Sequence, residues 1–546
     1  MALTLNGTTG ITTSGSSSSG GGGISTNTAL GGDALAANTT GANNVAVGYQ
    51  SLDANTTGAN NVAVGVDTLG ANTTGIHNIA VGRNALGANT TGIYNVGIGS
   101  NALLNNTTGS QNTALGGGAL GGNTTASNNT AIGYDALVSN TTGANNVAVG
   151  YGALDANTTG KENTAVGANA LGALTTGSTN VAFGYNALLV ATTANDCTAV
   201  GHACLDANTT GASNTAVGQD SLGANTTGSS NAAFGRGALA ANTTADNNTA
   251  IGRDALTANT TGSNNTAVGY GALDANTTAS SNAAFGYGAL GANTTGSSCT
   301  ALGNSALAAS TTADFNTAVG SLALYANTTG AENTAVGYQS LDACTTGAYN
   351  TAVGMEAGGA VTTGTYNVFI GKSAGIWNAG LTTGAGSTYV GAFAGASAAA
   401  STGEMVICSS TGGSVGKGNS TGFINPNSGP VYNGGNTTTW TTTSDQRLKK
   451  NIVDNNEGLE KIAAIRVRNF EYRLPEEVDG GLQPKDAVIK PGIQLGVIAQ
   501  ELQQVCPDCV RTESTGVLAV DSDEIFWHMV NAIKQLKAEI DQLKGQ

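Results

Sequence analysis

Apolar and polar positions recur along most of this chain with a period of 17 residues. "NTTGANNVAVGYQSLDA" at 38–54 is followed by "NTTGANNVAVGVDTLGA" at 55–71 and "NTTGIHNIAVGRNALGA" at 72–88. Steps of 17 from Asn38 reach twenty positions, ending at Val361. Asn occupies fifteen of them, and the exceptions are Leu174, Ala191, Ser310, Cys344 and Val361. A weaker copy, "NTALGGDALAA" at 27–37, precedes the array.

Each unit predicts turn, strand, turn, strand. "NTTG" supplies turn chemistry through Asn and Gly. "NxAVG" predicts a short strand, in which Val45 and Val47 share one face and Ala46 takes the other. "xAL" predicts a second short strand ending on Leu, as at Leu52. One unit of 17 residues cannot bury a core. Stacked units can, by placing Val on Val and Leu on Leu. Twenty coils at the strand spacing of ~4.8 Å give a rod of roughly 100 Å. The constant small residue at the Ala46 column predicts a face buried against another copy. A second Asn recurs six residues after the first, as Asn44, Asn61, Asn78 and Asn95, and becomes Cys at Cys197 and Cys299. Since Cys is among the most buried residue types, this column is expected to face inward, as a hydrogen-bonded Asn ladder with Cys as filler.

The flanks read differently. "TSGSSSSGGGG" at 13–23 is a flexible linker by composition. It separates an N-terminal segment, 1–12, from the repeat shaft, 24–364. From 365 to 443 the period fades into further short strands. Tyr366, Phe369, Trp377, Tyr389, Tyr432 and Trp440 stand there either as a receptor-binding tip or as core packing. Residues 444–546 form a separate domain with helical periodicity. "IQLGVIAQELQQVCP" at 493–507 predicts a strand running into a helix. Phe526, Met529, Ile533, Leu536, Ile540 and Leu543 form a heptad seam that predicts self-association of the last helix.

Composition narrows the classes. The 546 residues carry 10% charged and 5% aromatic residues, low for a globular enzyme, while 40% hydrophobic content argues against disorder. Gly is 82 and Pro 6 without a Gly-X-Y period, which excludes collagen. A net charge of −15 without a basic stripe argues against nucleic acid as a partner. No apolar run approaches the ~18 residues of a membrane helix, and "MALTLNGTTG" lacks a signal peptide's basic start and apolar core. The expectation is a soluble chain made in a cytoplasm.

Seven Cys without regular spacing do not describe a disulfide framework, and three scattered His suggest no metal cluster. "CPDC" at 506–509 resembles a redox motif or half of a zinc motif. No second ligand pair accompanies it, so both Cys read as structural. No metal and no cofactor is expected. The repeated "NTT" matches an N-glycosylation acceptor but reads as turn chemistry. Adjacent Thr residues point different ways, which breaks a flat ice-binding array. Asp53, Asp155, Asp206 and Asp274 recur at one repeat position and read as a solvated face rather than a glycosidase pair.

Thirteen of the 19 Lys and Arg lie from Arg447 onward, and "TTTSDQRLKKNI" at 441–452 marks the change of character. A Ser hydroxyl needs a neighbour to take its proton, and a neutral Lys amine can do so. Burial or nearby cations must first lower the ordinary Lys value of ~10.4. Arg447 and Lys450 flank Lys449.

Two resemblances sharpen this picture. "NNVAVGYQSLDANTTG" and its copies resemble the head repeats of trimeric adhesins of the YadA type, and long-repeat phage tail fibres. That implies a trimeric parallel β-roll, hence a mainly β fold with a small α+β C-terminal domain ending in a coiled-coil helix. "MALTLNGTTGIT" resembles the start of phage fibre proteins, which implies attachment to a tail, baseplate or adaptor protein. "SDQRLKKNI", "LGVIAQELQQVCP" and "LAVDSDEIFWHMVNAIKQL", in that order, resemble the intramolecular chaperone domain of peptidase family S74. It occurs in phage tail fibres, tailspikes, endosialidases and myelin regulatory factor.

The S74 resemblance implies that the domain trimerises the nascent fibre and then cuts itself off, once per chain. Carried onto this sequence, Ser444 is the nucleophile, Lys449 its base, and the cut falls between Thr443 and Ser444. Asp445, Arg447 and Asn451 match the motif without an assigned role. The implied protein is a homotrimeric phage tail fibre in the virion, assembled in the host cytoplasm, that binds a host cell-surface receptor without membrane insertion. The alternatives are a bacterial trimeric surface adhesin, which requires a secretion signal and an anchor, and a polysaccharide-degrading tailspike, which requires convergent carboxylates.

Overall fold

The computed structural model describes residues 3–6, 10–13, 24, 26–409, 413–425, 431–434, 441–442, 451–474, 477, 492–512 and 518–545. The chain divides into two compact units, Met1–Thr443 and Ser444–Gln546.

The first unit is a parallel β-solenoid. Each coil contributes one three-residue strand, such as Val45–Val47, which pairs in register with the next coil's Val62–Val64. Ladder bonds run straight up the stack: Val45 N–H donates to Asn61 O at 2.8 Å and Gly48 N–H to Leu30 O at 2.8 Å. The spacing stays at 17 from Thr28 to Val368 and then widens to 20 for one coil, which ends at Thr388. Met405–Cys408 and Thr421–Asn425 continue the parallel stack. Val431–Gly434 and Thr441–Thr442 then join it antiparallel. Near the N-terminus Leu3–Asn6 and Gly10–Thr13 make a separate antiparallel hairpin.

Two expectations are corrected. The "xAL" segment is a turn, with no second strand. Gln50 and Leu52 both adopt left-handed backbone, at φ 53° and 52°. The column repeats as Leu from Leu35 to Leu341, always left-handed. This explains why it is Leu rather than Val or Ile. A β-branched residue fits that region of φ badly, whereas Leu reaches it and still buries its side chain. Glycine is required at the strand's end: Gly48 has φ 139°, and a Cβ there would meet the backbone of Gly65 in the next coil.

The second correction concerns inside and outside. Ala46 and its column are fully buried within the single coil, packed with the Leu52 column. The flanking strand positions point out. Ile79, Ile98, Leu115, Ile132, Phe183, Phe234, Ile251 and Leu302 are all exposed. The strand column is Ala because the coil is too thin for more, and not because another copy abuts it. Where the core widens, the sizes exchange. Phe369 and Tyr389 replace the inner Ala and stack at 5.6 Å, while the Leu column becomes Gly358 and Gly375, whose added Cβ atoms would strike Phe369. Both aromatics are therefore core. Tyr366 and Trp377 remain exposed, and Trp440 lies outside the described residues.

Buried polar groups are satisfied by two Asn columns. In the Asn44 column, as expected, each side chain bridges coils: Asn44 Oδ1 accepts from Asn61 N–H at 3.0 Å and its Nδ2 donates to Gly58 O at 2.8 Å. The Asn38 column, read from sequence as turn chemistry, is a second buried ladder. Asn55 Nδ2 donates to Asn38 Oδ1 at 2.8 Å and to Gly58 O at 2.9 Å. Those side chains are enclosed in the fold, so "NTT" offers no free glycan acceptor at these positions. Among the described residues, the buried side-chain atoms without a hydrogen-bond partner are Asn157 Oδ1, Asn293 Oδ1 and Ser310 Oγ. Each lies at a break in the ladder: Leu174 follows Asn157 and Ser310 follows Asn293.

Restoring a rung should therefore stabilise. Ser310→Asn is expected to gain about 1 kcal/mol by pairing Asn293 Oδ1. Asn225→Ser, which removes the donor to Asn208 Oδ1 at 2.8 Å, should lose about 1–3 kcal/mol. Amide hydrogen exchange of the flanking coils measures both, and equal protection in wild type and variants would refute the ladder's energetic role.

Candidate functional site

Among its described residues the C-terminal unit has three α-helices. Helix α1, Leu459–Ala464, packs on α3, Ser522–Lys544. Leu459 N–H donates to Gln535 Oε1 at 2.6 Å, and Gln535 Nε2 donates to Asn456 O at 2.7 Å. Helix α2, Ala499–Val505, follows the strand Gln494–Gly496, as the sequence predicts. That strand pairs antiparallel with Arg468–Phe470, and Val510–Thr512 pairs with Leu518–Val520. A bidentate Arg468–Glu501 pair ties strand to helix, with Nη2–Oε1 2.9 Å and Nε–Oε2 3.1 Å. The hydrogen bond from Arg468 holds the Glu501 carboxyl below its ordinary range.

Helix α3 is capped at Asp521, whose side chain accepts from Asp523 N–H at 3.2 Å. One face turns into the unit, with His528 and Ala532 buried. The heptad seam lies on another face. Phe526, Met529, Ile533, Leu536, Ile540 and Leu543 are between 42% and 72% exposed, so this chain's own fold leaves the seam uncovered. Among the described residues the seam does not pack on its own domain.

Thr443, Ser444, Asp445, Arg447 and Lys449 lie outside the described residues. Asn451 is described: it is exposed, with left-handed backbone at φ 55°. The strand Thr441–Thr442 holds the chain up to one residue before Thr443, and the boundary between the two compact units falls at the Thr443–Ser444 peptide bond.

Sequence reading missed one grouping. Cys506 and Cys509, at the turn after α2, are joined as a disulfide, and α3 brings His528 against them from 19 residues further on. His528 Nε2 lies 3.3 Å from Asp508 Oδ2, and Lys461 Nζ reaches the same oxygen at 3.2 Å. A helix spacing of three residues, from Ile525 to His528, puts a polar side chain on the buried face and was the only available signal.

The shaft presents no comparable chemistry. Asp53, Asp155, Asp206, Asp274 and Asp342 share one column, and burial raises their carboxyls above the ordinary range. Each is followed one coil on by glycine, as Asp53 is by Gly70, and its carboxylate lies over the space a Cβ would take. The column is thus half-buried rather than fully solvated, and a neighbouring carboxylate, such as Asp67 for Asp53, adds to the upward push on each member. Cys197 and Cys299 sit in the Asn44 column as expected. Their thiols donate to Gly211 O at 3.3 Å and Ala313 O at 3.2 Å, the carbonyls an Asn amide would reach.

With this geometry in place, comparison with known proteins is informative. Residues 444–511 match the family Peptidase_S74, described as Chaperone of endosialidase. The C-terminal unit therefore carries a domain of this kind, behind a long parallel β-solenoid of 17-residue coils. The chain is also 36% identical over 96 residues to Myelin regulatory factor homolog 1 of Caenorhabditis elegans. That stretch is 17% of this chain and 10% of the relative, so the chain spans about a tenth of that protein's length.

Burial pushes the Cys299 and Cys344 thiols up to about 11 and also raises those of Cys197 and Cys204. At pH 8 these cysteines should resist alkylation by iodoacetamide in the folded chain and react fully in denaturant. Mass spectrometry reads the outcome, and rapid native labelling would contradict the filler reading.

Proposed function

We propose that this protein is the fibre of a bacteriophage tail, whose C-terminal unit assembles three copies, assists their folding and then severs itself between Thr443 and Ser444. One coincidence carries this reading. The solenoid unit ends, the helical unit begins, and the match to the chaperone family begins, all at the same peptide bond.

The chemistry needs only the chain itself. Ser444 Oγ attacks the carbonyl carbon of Thr443 while the Lys449 amine takes the hydroxyl proton. The amide nitrogen of Ser444 leaves and gains a proton. Thr443 is then held as an ester on Ser444 Oγ, beside a free α-amine. Water hydrolyses the ester, leaving a carboxylate on Thr443. The nucleophile is consumed as a new N-terminus, so the reaction runs once. Asp445, Arg447 and Asn451 lie close in sequence to this dyad, and the cationic Arg447 and Lys450 favour a neutral Lys449.

Two exposed apolar features support assembly. The strand faces of the solenoid leave a stripe of Val, Ile, Leu and Phe along the shaft, and α3 leaves its heptad seam open. Three copies of this chain cover both. The partner face is thus the outward Val/Ile column, in place of the Ala column expected from sequence. The N-terminal segment attaches the fibre to the phage tail, and the distal coils, with Tyr366 and Trp377 exposed, contact a host surface receptor.

The mass of the denatured recombinant product tests the cut. The wild type is expected to end at Thr443, with Ser444→Ala and Lys449→Ala left whole. A wild-type chain still running to Gln546 after assembly would overturn autoproteolysis.

Light scattering tests the assembly. Ser444→Ala is expected to be a trimer. Adding Ile533→Asp on the open seam should reduce trimer yield at least several-fold. A monodisperse wild-type monomer would overturn the assembly reading.

A further inference from the structure

Cys506, Cys509 and His528 are each buried, and their ligand atoms lie within 4.8 Å of one another. Among the described residues this is the one such group of three. The sequence holds a Cys-x-x-Cys pair, and the fold delivers the third ligand from α3. Two details fit a metal better than a plain core. First, His528 Nδ1 lies 3.0 Å from Glu457 O, a backbone carbonyl that can only accept, so Nδ1 carries the proton and Nε2 presents its lone pair. Second, Nε2 faces Asp508 Oδ2 at 3.3 Å, an oxygen that accepts from Lys461 as well. A metal ion held between these two atoms would bond both.

With the disulfide opened, so that the two Sγ atoms separate, the other spacings approach those of a tetrahedral site. Zn–S bonds of about 2.3 Å and Zn–N or Zn–O bonds of about 2.0–2.2 Å set tetrahedral edges of roughly 3.3–3.8 Å. The observed Nε2–Oδ2 distance is 3.3 Å, and Cys506 Sγ lies 3.9 Å from Asp508 Oδ1. We propose that the reduced C-terminal unit binds one Zn²⁺ through Cys506 Sγ, Cys509 Sγ, His528 Nε2 and the Asp508 carboxylate. The chain is translated with two thiols. Zn²⁺ displaces their two protons and forms two Zn–S bonds, and no electron moves. The disulfide is the same pair after loss of two electrons, so the two states exclude each other. The ion ties the turn after α2 to α3, the helix whose seam is open for assembly. Folding of the unit is thereby linked to metal.

The test uses the full chain with Ser444→Ala, which keeps the unit attached whether or not the wild type cuts itself. It is purified without oxygen in a phosphine reductant, and its zinc is counted by mass spectrometry of the metal. One zinc per chain is expected, with loss of most of it in Cys509→Ser and in His528→Gln. Since those variants can fail to fold, the parent protein is also exchanged with Co²⁺ alone. A thiolate-to-cobalt charge-transfer band with intense tetrahedral visible bands is expected, and a chelator should release two additional reactive thiols per chain. A folded, reduced parent with less than a tenth of a zinc per chain and no cobalt band would overturn the site and leave His528 as a buried hydrogen-bond partner of Asp508. A cobalt band unchanged by His528→Gln in folded protein would remove His528 from it.

Discussion

The shaft depends on hydrogen bonding inside a coil with almost no room. A three-residue strand satisfies its backbone groups only along the stack, so the rest of each coil must turn back without leaving buried amides and carbonyls unpaired. The two Asn columns do this. Most of these amides use both ends, donating to a glycine or alanine carbonyl and linking one coil to the next. Because the rung joins neighbours, a coil is complete only when the adjacent coils are present, and stability accrues through nearest-neighbour interfaces. The sites where the columns break show the rule by exception, since the orphaned oxygens fall there.

The same narrowness settles which residues face which way, and here sequence reading has a defined limit. The period follows from spacing and the inward Asn44 column from the Cys residues that replace it, but the twenty coils counted from spacing fall short of the 23 turns, because the parallel stack continues past Val368 where the period of 17 is lost. The two sides of the strand do not follow. Alternation separates Val45 and Val47 from Ala46 but does not say which side is inside, and hydrophobicity favours the wrong answer. The deciding fact is volume. An interior already holding a Leu and two Asn per coil accepts Ala and rejects Val. The Leu turn was equally hidden, since "AL" after a glycine resembles a strand until its left-handed backbone is known.

The candidate site divides along similar lines. The proposed pair Ser444 and Lys449 comes from sequence because both lie within one short motif, outside the described residues. The grouping of Cys506, Cys509, Asp508 and His528 depends on α3 folding back over the turn after α2, and no spacing in the sequence reveals that. The Cys-x-x-Cys half was visible and its partner was not.

A stack of identical coils carries little to fix its own register or its end. Any coil offers the next an equivalent surface, and a slip of one unit preserves every rung. Three such chains, each with an exposed apolar stripe, can associate out of step as readily as in step. In the proposed assembly the helical unit would remove that ambiguity. Its α3 seam has a single register in each chain, and the transition from parallel to antiparallel strands at Val431–Gly434 and Thr441–Thr442 gives the stack a defined end just ahead of it. In the proposed trimer, once aligned coils have covered their stripes, the aligning unit would contribute nothing further to the shaft, and the proposed cut at Thr443–Ser444 would leave the shaft without it. The repeat array is simple enough to need an external register, and the bond that joins it to that register is the one whose chemistry the sequence marks.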